Sequence, residues 1–482
     1  MTTGGIPDLA ALEARIAHDL AVTAYPTKPW LRPIAGPDGA HVYDVVIVGA
    51  GQSGLAAAFG LRREKVENVL IIDAASAGRE GPWTTFARMP TLRSPKYLTG
   101  IDLGIPSLTF QAWYEAQHGG QAWEDLGKIP TGMWMAYLTW FRRLLDLPVE
   151  NECRLDRTEP VNGIFRLHLT RSGGRDAIYA RKVVYCTGLD GTGEWYVPAM
   201  VRDNLPPDRF RHAADPEIDF APLKGKTVAV LGAGASAFDQ ASVALEHGAA
   251  DVHMYSRRAV LNRVQPFIHL ELAGFLRNFA ELTPEWRWRF MNYLLRQREP
   301  CPPETWERAT RHENFHLHTG EPWDAVRMDG DRIRIETPKG VTHADFVICG
   351  TGITVDMGLR PELADIAPHV ATWADRYTPP PEEANPWIAA YPYLDPACAL
   401  TEKAPGTAPW LRHLHVFTFG ATLSIGFSGG GMNGLKYSLP RLIGGITKGL
   451  FEDDVEQQYQ ALLDYQDPLF DLGKWADQDA AE

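Results

Sequence analysis

The chain has 482 residues, 47 basic against 60 acidic side chains for a net charge of −13, and 45% hydrophobic residues. That length admits roughly three domains of about 150 residues each, and the acidic balance argues against a nucleic-acid partner, which needs a basic stripe. No apolar run approaches the ~20 residues that span a bilayer, and MTTGGIPDLAALEARIAHDL lacks the basic start and apolar middle of a secretory signal. A cytoplasmic protein without membrane contact is therefore expected.

Residues 1–42 read as an amphipathic helix followed by a proline-rich arm. At Asp44 the texture changes. DVVIVGAGQSGLAAAFGLRREKVENVLIIDAA is a buried strand, a glycine turn, a helix and a second buried strand. An apolar, aromatic helix is predicted from Met133 to Leu145, and IFRLHLTR and YARKVVYCTG read as strands. From Lys226 the first pattern recurs in TVAVLGAGASAFDQASVALEHGAADVHMYSRR. A tryptophan-rich helical stretch spans residues 273–311, then DRIRIETPKGVTHADFVICGTG reads as a hairpin. The last 70 or so residues hold a strand, a glycine-rich turn and a helix in HVFTFGATLSIGFSGGGMNGLKYSLPRLIGGITKGLF. The repeated unit predicts an α/β fold with two parallel sheets.

The first glycine loop, Gly49-Ala50-Gly51-Gln52-Ser53-Gly54, follows the strand directly. Its glycines permit a tight turn, close approach of backbone to a pyrophosphate, and tight helix packing. Asp73 ends the next strand 24 residues after Gly49, where a carboxylate takes ribose hydroxyls. The second loop is Gly232-Ala233-Gly234-Ala235-Ser236-Ala237, with alanine in third-glycine position. The same offset of 24 lands on Ser256, followed by Arg257 and Arg258. An acid there would repel the 2′-phosphate of NADP, whereas a hydroxyl and guanidinium groups bind it. The first loop therefore suits FAD and the second NADPH. The resulting expectation is two Rossmann-like dinucleotide-binding domains, with the NADPH domain inserted in the FAD domain. Its divisions are an arm at 1–42, FAD-binding segments at 43–205 and 341–482, and an NADPH-binding segment at 206–340.

With these loops, Gly81-Pro82-Trp83, Ser94-Pro95-Lys96 and the turns Thr187-Gly188 and Thr351-Gly352 make the chain resemble the class B flavin-dependent monooxygenases. HAADPEIDF before KGKTVAVLGAGASAFD is similar to bacterial NAD(P)/FAD-dependent oxidoreductases, some of which are labelled FAD-dependent urate hydroxylases. The resemblance implies FAD, NADPH, O2 and a small organic substrate. It also implies an NADPH-consuming monooxygenase that forms a C4a-(hydro)peroxyflavin and hydroxylates or N/S-oxygenates its substrate, a heterocycle such as urate being one choice. Trp83 belongs to the cofactor set, and Arg93, Lys96, His212 and Asn433 are the implied catalytic candidates. Arg93 and Lys96 lie where relatives approach the flavin, His212 stands 20 residues before Gly232, and Asn433 sits in the glycine-rich turn.

Three alternatives stay open or are weighed. The Baeyer–Villiger fingerprint FxGxxxHxxxWP is absent, Pro206 and Asp208 replacing its phenylalanine and glycine. An NADPH:acceptor flavin oxidoreductase without oxygen activation uses the same cofactors. A disulfide reductase needs a close redox-active cysteine pair, and the five cysteines at 153, 186, 301, 349 and 398 form none in sequence.

Overall fold

The computed structural model describes residues 8–427 and 431–471. Two sheets organise it, one mixed around a parallel centre and one wholly parallel. In the first, β1 (Val42–Val48) lies between β2 (Val69–Ile72) and β6 (Gly174–Tyr185), all parallel, with β3 (Val149–Glu150) beyond β2. Strand β6 is long enough to take two neighbours along one edge. Its first half pairs antiparallel with β5 (Ile164–Arg171), which pairs with β4 (Arg154–Val161), and its second half pairs parallel with β17 (Leu414–Val416). The alternating apolar residues of IFRLHLTR thus bury Phe165, Leu167 and Leu169 on one face.

The second sheet is wholly parallel, in the order β11 (Phe315–Thr319), β10 (Asp251–Ser256), β9 (Thr227–Leu231), β15 (Phe346–Cys349) and β8 (Phe210–His212). Strands β9 and β10 come from the second repeat unit, flanked by β11, β15 and β8. Strand β15 lies past residue 340, so this sheet reaches to Cys349. The DRIRIETPKGVTHA stretch forms β13 (Arg332–Thr337) and β14 (Gly340–Ala344), and β12 (Ala325–Asp329) completes an antiparallel meander against that sheet. A two-stranded pair, β7 (Gly193–Trp195) with β16 (Ile353–Val355), joins the ends of the two sheets.

Near-continuous apolar runs mark strands covered on both faces. Val45, Val46 and Ile47, and Val228, Ala229 and Val230, are fully buried. Helix Gln52–Arg63 returns from β1 to β2, and helix Ala235–Glu246 from β9 to β10. The predicted apolar helix runs Thr131–Leu144. The tryptophan-rich stretch breaks into helices Ala273–Asn278, Pro284–Gln297 and Pro303–Thr310, because prolines at 284, 302 and 303 start new helices. Trp288 is core there, Trp286 is half exposed, and Trp306 borders the cavity described below. No helix among the described residues is long and apolar enough to cross a membrane.

Candidate functional site

Both glycine loops open into one cavity of about 2430 Å³. This exceeds the ~300–1,000 Å³ typical of a pocket for one small ligand. Gly49 turns with φ +105°, and a Cβ there would stand 2.4 Å from the Cys186 carbonyl oxygen. Gly232 repeats the geometry, with φ +113° and 2.3 Å to the Gly350 carbonyl oxygen. Each first glycine thus packs on the strand end that precedes one of the two TG turns, Thr187-Gly188 and Thr351-Gly352. Gly51 and Gly234 have open space where a side chain would be, and each caps its helix without a side-chain hydrogen bond. The amides of Gln52 and Ser53, and of Ala235 and Ser236, are therefore open to a phosphate, while that of Ala237 bonds the Gly234 carbonyl at 2.9 Å.

Gly54 serves helix packing, since a Cβ would fall 1.9 Å from the Gly49 oxygen, and it does not line the cavity. Gln52 and Ser53 do line it, and Gln52 accepts a hydrogen bond from the Trp134 indole at 3.3 Å. Trp83 also faces the cavity, edge-on to Trp134 at 6.4 Å. The Asp73 carboxylate accepts from the amides of Ala50 and Ala75, each at 2.7 Å. Burial raises its pKa against those two hydrogen bonds.

In the second unit, Ala235, Ser236 and Ala237 line the cavity together with Ser256, Arg257 and Arg258. The Ser256 hydroxyl accepts from the Arg258 amide at 3.2 Å. Arg257 is exposed and has no hydrogen-bond or ion-pair partner among the described residues. Arg258 instead points its guanidinium at the C-terminus of helix Pro284–Gln297, donating to the Gln297 carbonyl at 2.8 Å and to that of Arg296.

The catalytic candidates divide. His212 lines the cavity, stacks on Trp195 at 5.2 Å, and accepts from the Ala214 amide on Nδ1. Burial, opposed more weakly by the Gly352 backbone, pulls its pKa down to about 4, so the ring is neutral near pH 7. Its Nε2, protonated in that tautomer, is buried and faces the Gly352 backbone without a well-formed hydrogen bond. Arg93 lines the cavity too, but its guanidinium is spent on Asp239 of the second unit at 2.8 Å. The ion pair joins the two units.

Lys96 is not brought to the cavity. It donates to the carbonyls of Trp123 and Glu124 and lies 4.8 Å from the Trp123 ring, because the SPK turn faces the Gly120–Asp125 helix. Asn433 is also elsewhere, with its amide on the Glu271 carboxylate, while neighbouring Met432 lines the cavity. Part of its glycine-rich turn, residues 428–430, lies outside the described residues.

Sequence reasoning passed over Arg298. It follows a helix at φ +64°, lines the cavity, and stacks its guanidinium 4.8 Å from the Trp387 ring. Burial and then Arg257 lower its pKa. No local motif marks it, since Trp387 is 89 residues away. Cys186 and Cys301 also line the cavity, and burial pushes both thiols up to about 12. They stay protonated near pH 7, whereas disulfide exchange runs through the thiolate.

Paired dinucleotide loops over one chamber define a two-dinucleotide oxidoreductase. Residues 46–283 match the pyridine nucleotide-disulphide oxidoreductase family. The chain is 46% identical over 469 residues, 97% of its own length and 98% of the relative's, to a FAD-dependent urate hydroxylase of Xanthomonas campestris pv. campestris. It belongs to that relative's family, the class B flavin-monooxygenase-like NAD(P)/FAD-dependent oxidoreductases. Among solved structures, ornithine hydroxylase from Pseudomonas aeruginosa superposes with TM-score 0.67 at 15% identity, over 85% of this chain and 100% of that one. L-Lysine 6-monooxygenase from Pseudomonas syringae gives 0.63 at 18%, over 84% and 99%. A bacillithiol disulfide reductase from Bacillus cereus gives 0.53 at 16%, over 85% and 99%. These three likenesses concern the fold.

Proposed function

We propose that the chain holds FAD on the Gly49–Gly54 loop and NADPH on the Gly232–Ala237 loop, and oxygenates a small heterocycle of the urate type. The single chamber reached by both loops carries this reading, since hydride transfer needs the two dinucleotides to meet. Bound FAD supplies the redox and oxygen chemistry. The protein's share is positioning: Gly51 and Gly234 admit phosphates to the two helix starts, and Asp73 offers carboxylate oxygens to a ribose. Arg257, an uncommitted cation on the cavity wall, would hold the 2′-phosphate.

Neutral His212, its ring stacked on Trp195, forms part of the chamber wall. Trp83, Trp195 and Trp387 line the cavity and limit water there. Support for the purine-like substrate comes from the Xanthomonas relative alone. A plain reductase and a Baeyer–Villiger enzyme are the competing outcomes.

The test is incubation of the purified yellow protein with NADPH, 18O-labelled oxygen and urate, followed by mass spectrometry. One labelled oxygen in the product is expected. NADPH consumption with only hydrogen peroxide, across urate and related purines, would favour the reductase. An ester or lactone from a ketone would favour the Baeyer–Villiger outcome.

A further inference from the structure

The outer strands of the second sheet carry a group of imidazoles that the flavin site does not use. Asp251, His253 and Tyr255 alternate along β10 and so share one face of the sheet. In β11, His316 stands in register with His253, and His318 with Tyr255. The His253 and His316 rings stack at 4.6 Å, and His316 Nε2 is 3.0 Å from an Asp251 carboxylate oxygen. One donor atom from each of Asp251, His253 and His316 lies within 4.8 Å of the other two.

A chain of contacts behind this trio sets its tautomers. Glu321 Oε1 lies 3.5 Å from His318 Nδ1, and His318 Nε2 lies 3.0 Å from His253 Nδ1. A proton on His318 Nδ1, facing the carboxylate, would make His318 Nε2 the acceptor and His253 Nδ1–H the donor. That leaves the lone pair of His253 Nε2 unused. A carboxylate–imidazole relay behind a ligating histidine is how metal sites fix ring orientation and raise ligand basicity. The Asp251 and His316 side chains are 45% and 40% exposed, which provides an entry path and leaves room for water ligands.

We propose that Asp251, His253 and His316 form a surface site for a divalent transition-metal ion of the zinc type, with His318 and Glu321 as positioning residues. Two imidazoles, a carboxylate and water make a borderline-soft nitrogen and oxygen set suited to Zn2+. The metal takes the place of the proton on His316 Nε2, and the neutral ring keeps its one proton on Nδ1. The site sits at the opposite end of β10 from Ser256, away from the nucleotide cavity, whose lining includes none of the three ligands.

Untagged holoenzyme, stripped with a chelator and dialysed against zinc sulfate, tests this by metal content and titration calorimetry. About one zinc per chain is expected, with at least tenfold weaker binding in His253→Ala and His316→Ala and about tenfold in His318→Ala. Asp251→Asn is the mildest change in shape and is expected to weaken binding as well. Unchanged flavin absorbance in each variant verifies the fold. Failure of the wild-type protein to retain zinc, or equal retention by a His253→Ala/His316→Ala double variant, would overturn the assignment.

Discussion

Arg257 and Arg258 are adjacent, yet their guanidinium groups face different tasks. Arg258 ties the end of β10 to the C-terminus of helix Pro284–Gln297, where cations are favoured by the helix dipole and satisfy terminal carbonyls. Arg257 is left open to the cavity. Arg257→Ala is therefore expected to raise KM for NADPH about 10- to 100-fold with little change for NADH, as for loss of a charge-assisted hydrogen bond. Arg258→Ala is expected to lower thermal stability while altering the NADPH/NADH ratio less. Steady-state kinetics with both coenzymes, beside a melting curve, separates the two. A sequence reader sees the pair of arginines plainly, but which one is free depends on a helix almost 40 residues away.

At the scale of elements, the two glycine loops solve one packing problem in two ways. The first places glycine at 54, on the helix. The second has Ala237 in that position, and a Cβ added to Gly350 would stand only 2.6 Å from the Ala237 Cβ. Glycine at the end of β15 therefore makes room for the alanine methyl. Gly350→Ala is expected to cost about 1–3 kcal/mol by overpacking, read out as a lower denaturant midpoint and weaker NADPH binding. Ala237→Gly in the same chain is expected to restore most of that loss. Non-additivity in this double-mutant cycle is the signature of direct contact. The compensation is invisible in the local motif because its two halves are over a hundred residues apart.

Over the whole molecule, ion pairs stitch the first unit to the second. Arg93 reaches buried Asp239, Arg308 lies 3.8 Å from the same carboxylate and also donates to the Arg88 carbonyl, and Lys128 meets Glu304. Arg93→Ala leaves Asp239 with a poorer partner, at about 1–3 kcal/mol once partial exposure of Arg93 and the remaining Arg308 are allowed for. A fall of about 2–4 °C in Tm per kcal/mol is expected, with partial recovery in Arg93→Lys.

Acid sensitivity belongs to this scale as well. Burial holds His212, His253 and His415 at about 4, below their unfolded value of roughly 6.5. Such depressed groups contribute stability that is present above the unfolded pKa and lost as pH falls towards the folded one. Between pH 6.5 and 4, each costs up to about 1.4 kcal/mol per pH unit. Buried carboxylates with raised pKa, such as Asp44 and Asp395, act in the opposite direction. The clean measurement is therefore a difference: His415→Gln should flatten the stability–pH slope of the parent in that window.

Local chemistry determined much of this protein by itself. Apolar runs, two glycine turns and the residue 24 positions after each were legible because a strand–turn–helix unit is specified by neighbours in the chain. The histidine before the second loop was marked by the family resemblance rather than by local chemistry, and it lines the cavity. Tertiary structure alone decided the partners of long polar side chains. Lys96 went to a helix end, Arg93 to Asp239, and Asn433 to Glu271, while Arg298 and Gly350 became site residues without any motif. A flexible charged or amide side chain takes the nearest group able to satisfy it, and that neighbour is set by how distant segments pack.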